Sequence, residues 1–218
     1  AAAPATTNGD TGMAMVDCAA SIGIMGPFTG DVAAIGQEQL NWAKFAVDTF
    51  NEEHGTTFEL VEGDTQLDPA QASVVAPQFV DNDAIVAVVG PAGSQEVDAV
   101  GGIYADASMA FISPSATATN LTEDYETFYR VVPTDADQGP TDATYMVEEL
   151  GAQNVLIIDD QSSYSTGLAD ETVAAPARSN PRRSRLRRAE TARSIVRSPP
   201  PRAPARPRGA RRCGARAR

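Results

Sequence analysis

The chain has 218 residues, of which 42% are hydrophobic, and a formal net charge of −12. This length can bury a substantial core in one large domain or in two small ones. The longest apolar run, residues 84–89, is too short to span a membrane as a helix. The chain has one histidine, and its two cysteines, Cys18 and Cys213, lack CxxC spacing. These counts argue against a zinc site or a thioredoxin-type site, and we expect neither a metal nor a cofactor.

Charge divides the sequence abruptly between residues 175 and 176. Residues 1–175 hold 28 acidic residues and only two basic ones, Lys44 and Arg130, which gives a net charge of −26. Residues 176–218 hold 15 arginines, no lysine and one acid, Glu190, which gives +14. This basic tail has no aromatic residue and few large aliphatic ones. It cannot bury enough apolar surface to offset its chain entropy, so we predict a disordered Arg/Pro-rich tail.

Three interpretations of the tail remain open. Arginine runs attract phosphate, so the tail could be an arm that binds nucleic acid or acidic lipid. It could also be a solvated segment without a partner. The interpretation we favour is out-of-frame translation, because a one-base shift in a GC-rich gene converts GNC and GNG codons into arginine and proline codons. The acidic body and the lack of stacking aromatics argue against a nucleic-acid partner.

Residues 1–20 are small and polar, with neither a basic start nor a long apolar run. They are not a signal peptide as they stand, and we predict a flexible N-terminal arm that could be the tether left after a signal is removed.

Strands and helices alternate from residue 21 to residue 158. Short apolar runs predict strands at 21–25, 58–61, 84–89, 110–113, 128–132 and 155–158. Helical spacing predicts helices at 37–53, from 69, at 94–107 and at 141–150; the first would bury Leu40, Ala43, Val47 and Phe50. The continuous apolar character of 84–89 and 110–113 is typical of strands buried on both faces. This alternation predicts an α/β fold with an open parallel sheet.

Ligands of open α/β sheets bind outside the carboxyl ends of the strands. Three loops fall at that edge, at residues 26–36, 90–94 and 114–119. Ser94 lies where a strand turns into a helix, a position that favours an anion, although it could be only an N-cap. Ser115 and Thr117 are two apart and could face one crevice, or could only bond their own loop. Hydroxyl and amide donors of this kind suit a carboxylate.

Other candidate residues are more ambiguous. Tyr164 follows the strand at 155–158 and is either a surface tyrosine or an aromatic wall over a ligand. His54 lies near a predicted helix end, where a solvated role is favoured over a catalytic one. The crevice loops contain no nucleophile–base pair, so an enzyme is disfavoured.

Several motifs at these loops resemble one known family. They are GPFTGDVAAIGQ at 26–37, VVGPAGS at 88–94, GIYADASMAFISPSATATNLT at 102–122 and DQGPT at 137–141. These runs are similar to the leucine/isoleucine/valine-binding proteins of ABC importers, which are type I periplasmic binding proteins. The resemblance covers about residues 21–175, and the tail matches none of it.

The resemblance implies two α/β lobes that close over a ligand. Lobe 1, with a three-layer parallel-sheet architecture, would be mostly present at 21–131, and lobe 2 only begun at 132–175. The family's ligand-binding positions fall on Ser94, on Ser115 through its backbone carbonyl to the ligand ammonium, on Thr117 for the carboxylate and on Tyr164. The predicted pocket wall includes Ile35, Gly93 and Ala116.

Three departures from the family accompany these matches. Ile35 replaces an aromatic residue, so the side-chain pocket differs. Leu67 and Gly93 stand where some members have paired cysteines. The family's acid for the ligand ammonium corresponds to a position beyond residue 175.

The resemblance therefore implies an extracytoplasmic, non-enzymatic solute receptor. It would be periplasmic or a cell-surface lipoprotein after signal removal, monomeric, and would deliver a branched-chain or related amino acid to an ABC permease. A ligand-sensing domain of a receptor or regulator with the same fold is the alternative. With one lobe nearly whole and the second only begun, we expect binding no tighter than roughly millimolar.

Overall fold

The computed structural model describes residues 20–175 with their side chains and residues 185–188 as backbone. The predicted N-terminal arm and the remainder of the basic tail lie outside the described residues.

A five-stranded parallel sheet forms the centre of the first unit, residues 20–131. Its strands are β1 (Ser21–Gly26), β2 (Glu59–Asp64), β3 (Ile85–Val89), β4 (Phe111–Ser113) and β5 (Phe128–Arg130). Their order across the sheet is β2-β1-β3-β4-β5, and every pair is parallel. The predicted α/β class with an open parallel sheet is confirmed.

Helices connect these strands. They are α1 (Ala33–His54), α2 (Pro69–Val80), α3 (Ser94–Asp106) and the short α4 (Leu121–Asp124). The second unit, residues 132–175, contains α5 (Asp135–Thr144), a π-helical continuation (Tyr145–Glu149), β6 (Asn154–Ile157) and α6 (Ser163–Ala174). None of the described helices is both long and apolar enough to cross a membrane.

Two helices begin earlier than the sequence pattern predicts. α1 starts at Ala33, four residues before the predicted start, and takes up part of the first crevice loop. α5 starts at Asp135 instead of residue 141 because Thr134 and Asp137 form a capping box, in which the Thr134 N–H and Oγ1 both donate to Asp137 Oδ2. This earlier start brings Gln138 and Asp135 close to the crevice.

The hydrophobic core lies mainly between the sheet and the layer formed by α2 and α3. Tyr104 and Phe111 have ring centroids 4.9 Å apart, and Phe111 and Phe128 have centroids 5.2 Å apart. A smaller cluster of Ile24, Phe28 and Leu40 lies under α1 on the opposite face. The sheet therefore has a helix layer on each face, as the three-layer prediction requires.

The prediction that β3 and β4 are buried on both faces is wrong. Val86 is 59% exposed and Ile112 is 36% exposed. On its face of the sheet, α1 packs on β1 and β2 and leaves Val86 and Ile112 uncovered. Of the predicted core face of α1, Leu40 is buried and Ala43 packs beside it, whereas Phe50 is 46% accessible.

One segment of the basic tail forms a strand, β7 (Arg185–Arg188), which pairs with β6 in parallel. The prediction of a tail without regular structure is wrong for these four residues. Strand pairing uses backbone N–H and C=O groups, so it does not require an apolar sequence.

Candidate ligand-binding site

A cavity of about 430 Å³ opens at the carboxyl end of the sheet, where the predicted crevice loops converge. The loops after β1, β3 and β4 form most of its wall, and the start of the second unit completes it. The lining residues are Pro27, Val32, Ile35, Leu67, Ala92, Gly93, Ser94, Gln95, Ser115, Thr117, Val132, Pro133, Gln138 and Tyr164. No charged side chain occurs in this lining. The cavity therefore suits a ligand whose charges are met by neutral donors and acceptors.

The structure brings six of the seven predicted residues together in this wall. Ser94, Ser115, Thr117 and Tyr164 line the cavity, and so do the predicted wall residues Ile35 and Gly93. The seventh, Ala116, is fully buried in the hydrophobic core and does not line the cavity, so the prediction of a wall position for Ala116 is corrected.

Two glycines shape the turn from β3 into α3. Gly90 has a φ of +104°, and a Cβ there would lie 2.0 Å from the Met25 carbonyl oxygen, so only glycine fits. A Cβ on Gly93 would lie 2.9 Å from Leu67 Cδ1. The two positions that carry paired cysteines in some members of the resembled family are therefore neighbours here, on the cavity wall.

Ser94 holds the start of α3 against the loop that follows β4. It is fully buried, and its Oγ accepts hydrogen bonds of 3.2 Å from the N–H groups of both Thr117 and Ala118. Ser94 is the first residue of α3, and its N–H and that of Gln95 precede the first helical hydrogen bonds, which Glu96 and Val97 donate to the Gly93 carbonyl. Those N–H groups and the helix dipole favour an anion at this end of the cavity.

The hydroxyl of Ser115 is already used within the protein. It donates to the Ala92 carbonyl at 2.8 Å and accepts from Gln39 Nε2 at 3.0 Å. Because a hydroxyl has one proton, the Ser115 side chain has no donor left for a ligand. This arrangement agrees with a role for Ser115 through its backbone.

Thr117 and Gln95 each contribute a polar atom without a hydrogen bond to the described residues. Thr117 is 7% exposed, and both its Oγ1 and Gln95 Oε1 are buried without a partner. Buried polar atoms are normally paired. Both atoms are covered by protein, and the Thr117 hydroxyl lowers the pKa of the buried Asp135 carboxyl, so Asp135 is its neighbour within the protein.

Arg130 stabilises the loop that carries Thr117. Its guanidinium donates to the carbonyls of Ala116 at 3.5 Å, Ala118 at 2.7 Å and Thr119 at 3.3 Å. Burial lowers the pKa of Arg130, and nearby Asp135 opposes that effect. We did not single out Arg130 from the sequence, although a signal was present, since it is one of only two bases in residues 1–175.

The second unit contributes Tyr164, Gln138, Val132 and Pro133 to the cavity. Tyr164 is 39% exposed and lies in the first turn of α6. Its neighbour Ser163 donates to Asp98 Oδ2 of α3 at 2.7 Å, which joins the two units beside the cavity. The sequence did not predict that Val132, Pro133 and Gln138 line the cavity, although Gln138 belongs to the DQGPT motif.

The described residues contain no group of three or more histidine, cysteine, aspartate or glutamate side chains that could hold a metal ion.

A sequence profile described as "Periplasmic binding protein" matches residues 19–180, which is most of the chain. The chain belongs to the periplasmic binding protein family. It is 35% identical over 152 residues to the Leu/Ile/Val-binding protein of Escherichia coli K12, a match that covers 68% of this chain and 41% of that protein. It is 34% identical over 157 residues to an amino acid binding protein of Pseudomonas aeruginosa, covering 70% and 42% of the two chains.

Solved structures of substrate-binding proteins also match this chain. The branched-chain amino acid transporter substrate-binding protein LivJ of Streptococcus pneumoniae, in complex with isoleucine, matches with a TM-score of 0.69 and 29% identity, over 79% of this chain and 50% of that one. A substrate-binding protein of Desulfitobacterium hafniense in complex with Leu matches with a TM-score of 0.62 and 28% identity, over 78% and 50%. The chain therefore contains part of the type I periplasmic binding protein fold. It spans less than half the length of these curated relatives.

Proposed function

We propose that the protein is an extracytoplasmic receptor for an amino acid with an apolar side chain, which it delivers to the permease of an ABC importer. The observation that carries this proposal is an uncharged cavity that Ser94, Ser115 and Thr117 line together at the N-terminus of α3. The role is binding and release without chemistry. Relatives named for binding leucine, isoleucine and valine support the ligand class.

Each part of an amino acid has a chemically suitable position in the cavity. The carboxylate would accept from the Thr117 hydroxyl and from the first N–H groups of α3. The ammonium would donate to the Ser115 carbonyl and to Gln95 Oε1. The aliphatic side chain would contact Ile35, Leu67 and Val132. The volume of about 430 Å³ lies within the range of small-molecule sites.

The proposed affinity for the chain as it stands is low. A hydrogen bond to a charged group contributes about 1.5–3 kcal/mol, and a micromolar complex requires about 8 kcal/mol after the cost of association. The cavity offers no acidic side chain to the ligand ammonium. We therefore expect a dissociation constant for L-leucine of roughly one millimolar or weaker.

The test replaces the threonine hydroxyl with a methyl group of the same shape. Thr117→Val should weaken L-leucine binding, followed by NMR titration, by about tenfold or more, because the carboxylate loses a donor. Thr119→Val is the matched control: its side chain lies two residues further along the same loop, is exposed and should leave the affinity unchanged. Leucine methyl ester, which lacks the carboxylate, should bind neither the original chain nor the Thr119→Val variant. Equal leucine affinities for Thr117→Val and the original chain would contradict the proposal.

A further inference from the structure

Gln39 of α1 is a half-buried polar side chain that the proposed binding mode does not use. Its Nε2 donates to the Ser115 hydroxyl at 3.0 Å, across 76 positions of the sequence. Ile35 lies one turn before Gln39 on the same face of α1 and lines the cavity. Gln39 therefore connects the helix that follows β1 to the ligand-binding loop that follows β4.

Three serine hydroxyls attach this loop to the turn after β3. Ser113 Oγ donates to the Pro91 carbonyl at 2.6 Å, and Ser94 Oγ accepts from two N–H groups of the loop. Both of these serines are fully buried. Ser115 Oγ donates to the Ala92 carbonyl at 2.8 Å, but Ser115 is only half-buried and lines the cavity. Water can therefore compete for the Ser115 bond more readily than for the other two.

The Gln39 amide fixes the direction of the Ser115 hydroxyl. An amide nitrogen only donates, whereas a hydroxyl has one proton and two lone pairs. Gln39 Nε2 occupies a lone pair of Ser115 Oγ, so the single Ser115 proton is directed to the Ala92 carbonyl. Hydrogen bonds linked in such a chain strengthen one another. Gln39 thus supports the most exposed of the three attachments between the loop and the turn.

We propose that Gln39 is a positioning residue for the ammonium end of the ligand: by directing the Ser115 hydroxyl to Ala92, it holds the Ser115 backbone carbonyl where that carbonyl accepts from the ammonium. This inference rests on the proposed function, in which the Ser115 carbonyl has that role. Gln39 is not among the residues that line the cavity, so it acts through Ser115. The start of α3, which faces the ligand carboxylate, has no hydrogen bond to Gln39 among the described contacts.

The test compares L-leucine with 4-methylpentanoate, which has the same carbon chain and carboxylate but no ammonium. Gln39→Met keeps the length of the side chain and removes the donor. It should weaken leucine binding by roughly two- to tenfold and change 4-methylpentanoate binding by less than about twofold. Gln37→Met is the matched control, because Gln37 lies on the same helix and donates at 2.9 Å to the Phe28 carbonyl instead of Ser115. It should leave the ratio of the two affinities unchanged.

A double-mutant cycle tests whether Gln39 acts through the Ser115 hydroxyl. Ser115→Ala removes that hydroxyl and keeps the backbone carbonyl, and should weaken leucine binding by a similar factor. In the Ser115→Ala background, Gln39→Met should cause no further loss. Both affinities are measured by NMR titration of the full chain and its variants. Without ligand, the carbonyl carbon signal of Ala92 should shift in Gln39→Met and in Ser115→Ala but not in Gln37→Met.

The outcomes separate this inference from the proposed function. If leucine perturbs no signal of the original chain, the proposed function fails and the inference fails with it. If leucine binds but Gln39→Met weakens both ligands equally, or neither, the inference alone is overturned. Equal effects of Gln39→Met with and without the Ser115 hydroxyl would also overturn it. If Gln39→Met does not fold, Ser115→Ala decides: an unchanged ratio of leucine to 4-methylpentanoate affinity would overturn the inference.

Discussion

The two units of this chain differ in how they are stabilised. In the first unit, residues 20–131, a continuous core joins the sheet to α2 and α3, with Phe111 only 1% exposed at its centre. In the second, residues 132–175, Ala143 and Ala169 are the only buried hydrophobic residues that the structure describes, while Leu156 and Ile158 are each 57% exposed. The first unit carries its own core and most of the binding cavity. The second contributes a wall to that cavity without a comparable core.

The largest expected effect tests this contrast directly. Phe111→Ala removes a ring that packs against Tyr104 and Phe128, and should lower the free energy of unfolding by about 3–5 kcal/mol. Leu156→Ala, at an exposed position in the second unit, should change it by no more than about 0.5 kcal/mol. Urea unfolding followed by circular dichroism measures both. Similar losses for the two variants would show that the second unit has a core of its own.

A smaller effect on stability is expected at two adjacent glycines of α3 in the first unit. A Cβ on Gly101 would lie 2.6 Å from the ring of Tyr125, so Gly101→Ala should destabilise the fold by about 1–3 kcal/mol. Gly102 has no atom within 4 Å of that position, and Gly102→Ala should stabilise the helix by about 0.5–1 kcal/mol. Unfolding midpoints in urea should therefore shift in opposite directions. Shifts of the same sign would mean that α3 does not pack against Tyr125.

The smallest expected effect concerns pH. Glu96 is fully buried beneath the start of α3, where its Oε2 accepts from the Gly93 N–H at 2.8 Å. Burial raises its pKa above the ordinary 4.5, and Asp68 raises it further, although Thr65 and the Gly93 N–H oppose these effects. A raised pKa means that the protonated form is favoured in the folded state. Its contribution to stability is complete below about pH 4.5 and is lost as the pH rises through the raised value.

Glu96→Gln should remove this loss. Above pH 4.5, the stability of the variant should therefore depend less on pH than the stability of the original chain. Glu123→Gln, at an exposed position of α4, should leave the pH dependence unchanged. Urea unfolding at a series of pH values checks the pair. The same pH dependence for Glu96→Gln and the original chain would show that Glu96 does not titrate in this range.

The fold of the first unit could be predicted from the sequence because its strands are short apolar runs that are followed by glycine or proline, as at residues 84–89. Exposure could not be predicted, since Val86 and Ile112 have the composition of buried residues and only the position of α1 leaves them uncovered. The early start of α5 was missed because its apolar pattern is weak, although the pair Thr134 and Asp137 is a recognisable capping box.

Residues of the candidate site could be predicted where a loop follows a strand, as for Ser94 and Thr117. Their individual roles could not be predicted, because these depend on contacts between distant segments. Ser94 accepts a hydrogen bond from the loop after β4, and Arg130 of β5 donates one to a carbonyl of the same loop. Such contacts join residues more than ten positions apart and leave no local pattern in the sequence.

The central claim is that the cavity of the first unit holds the carboxylate of an amino acid. The most direct measurement is a map of backbone amide shifts during titration of the full chain with L-leucine. We expect the largest changes at residues 93–95 and 115–117, weaker ones around Tyr164, and a dissociation constant of roughly one millimolar or weaker. Changes confined to other surfaces, or no change at any leucine concentration, would contradict the account.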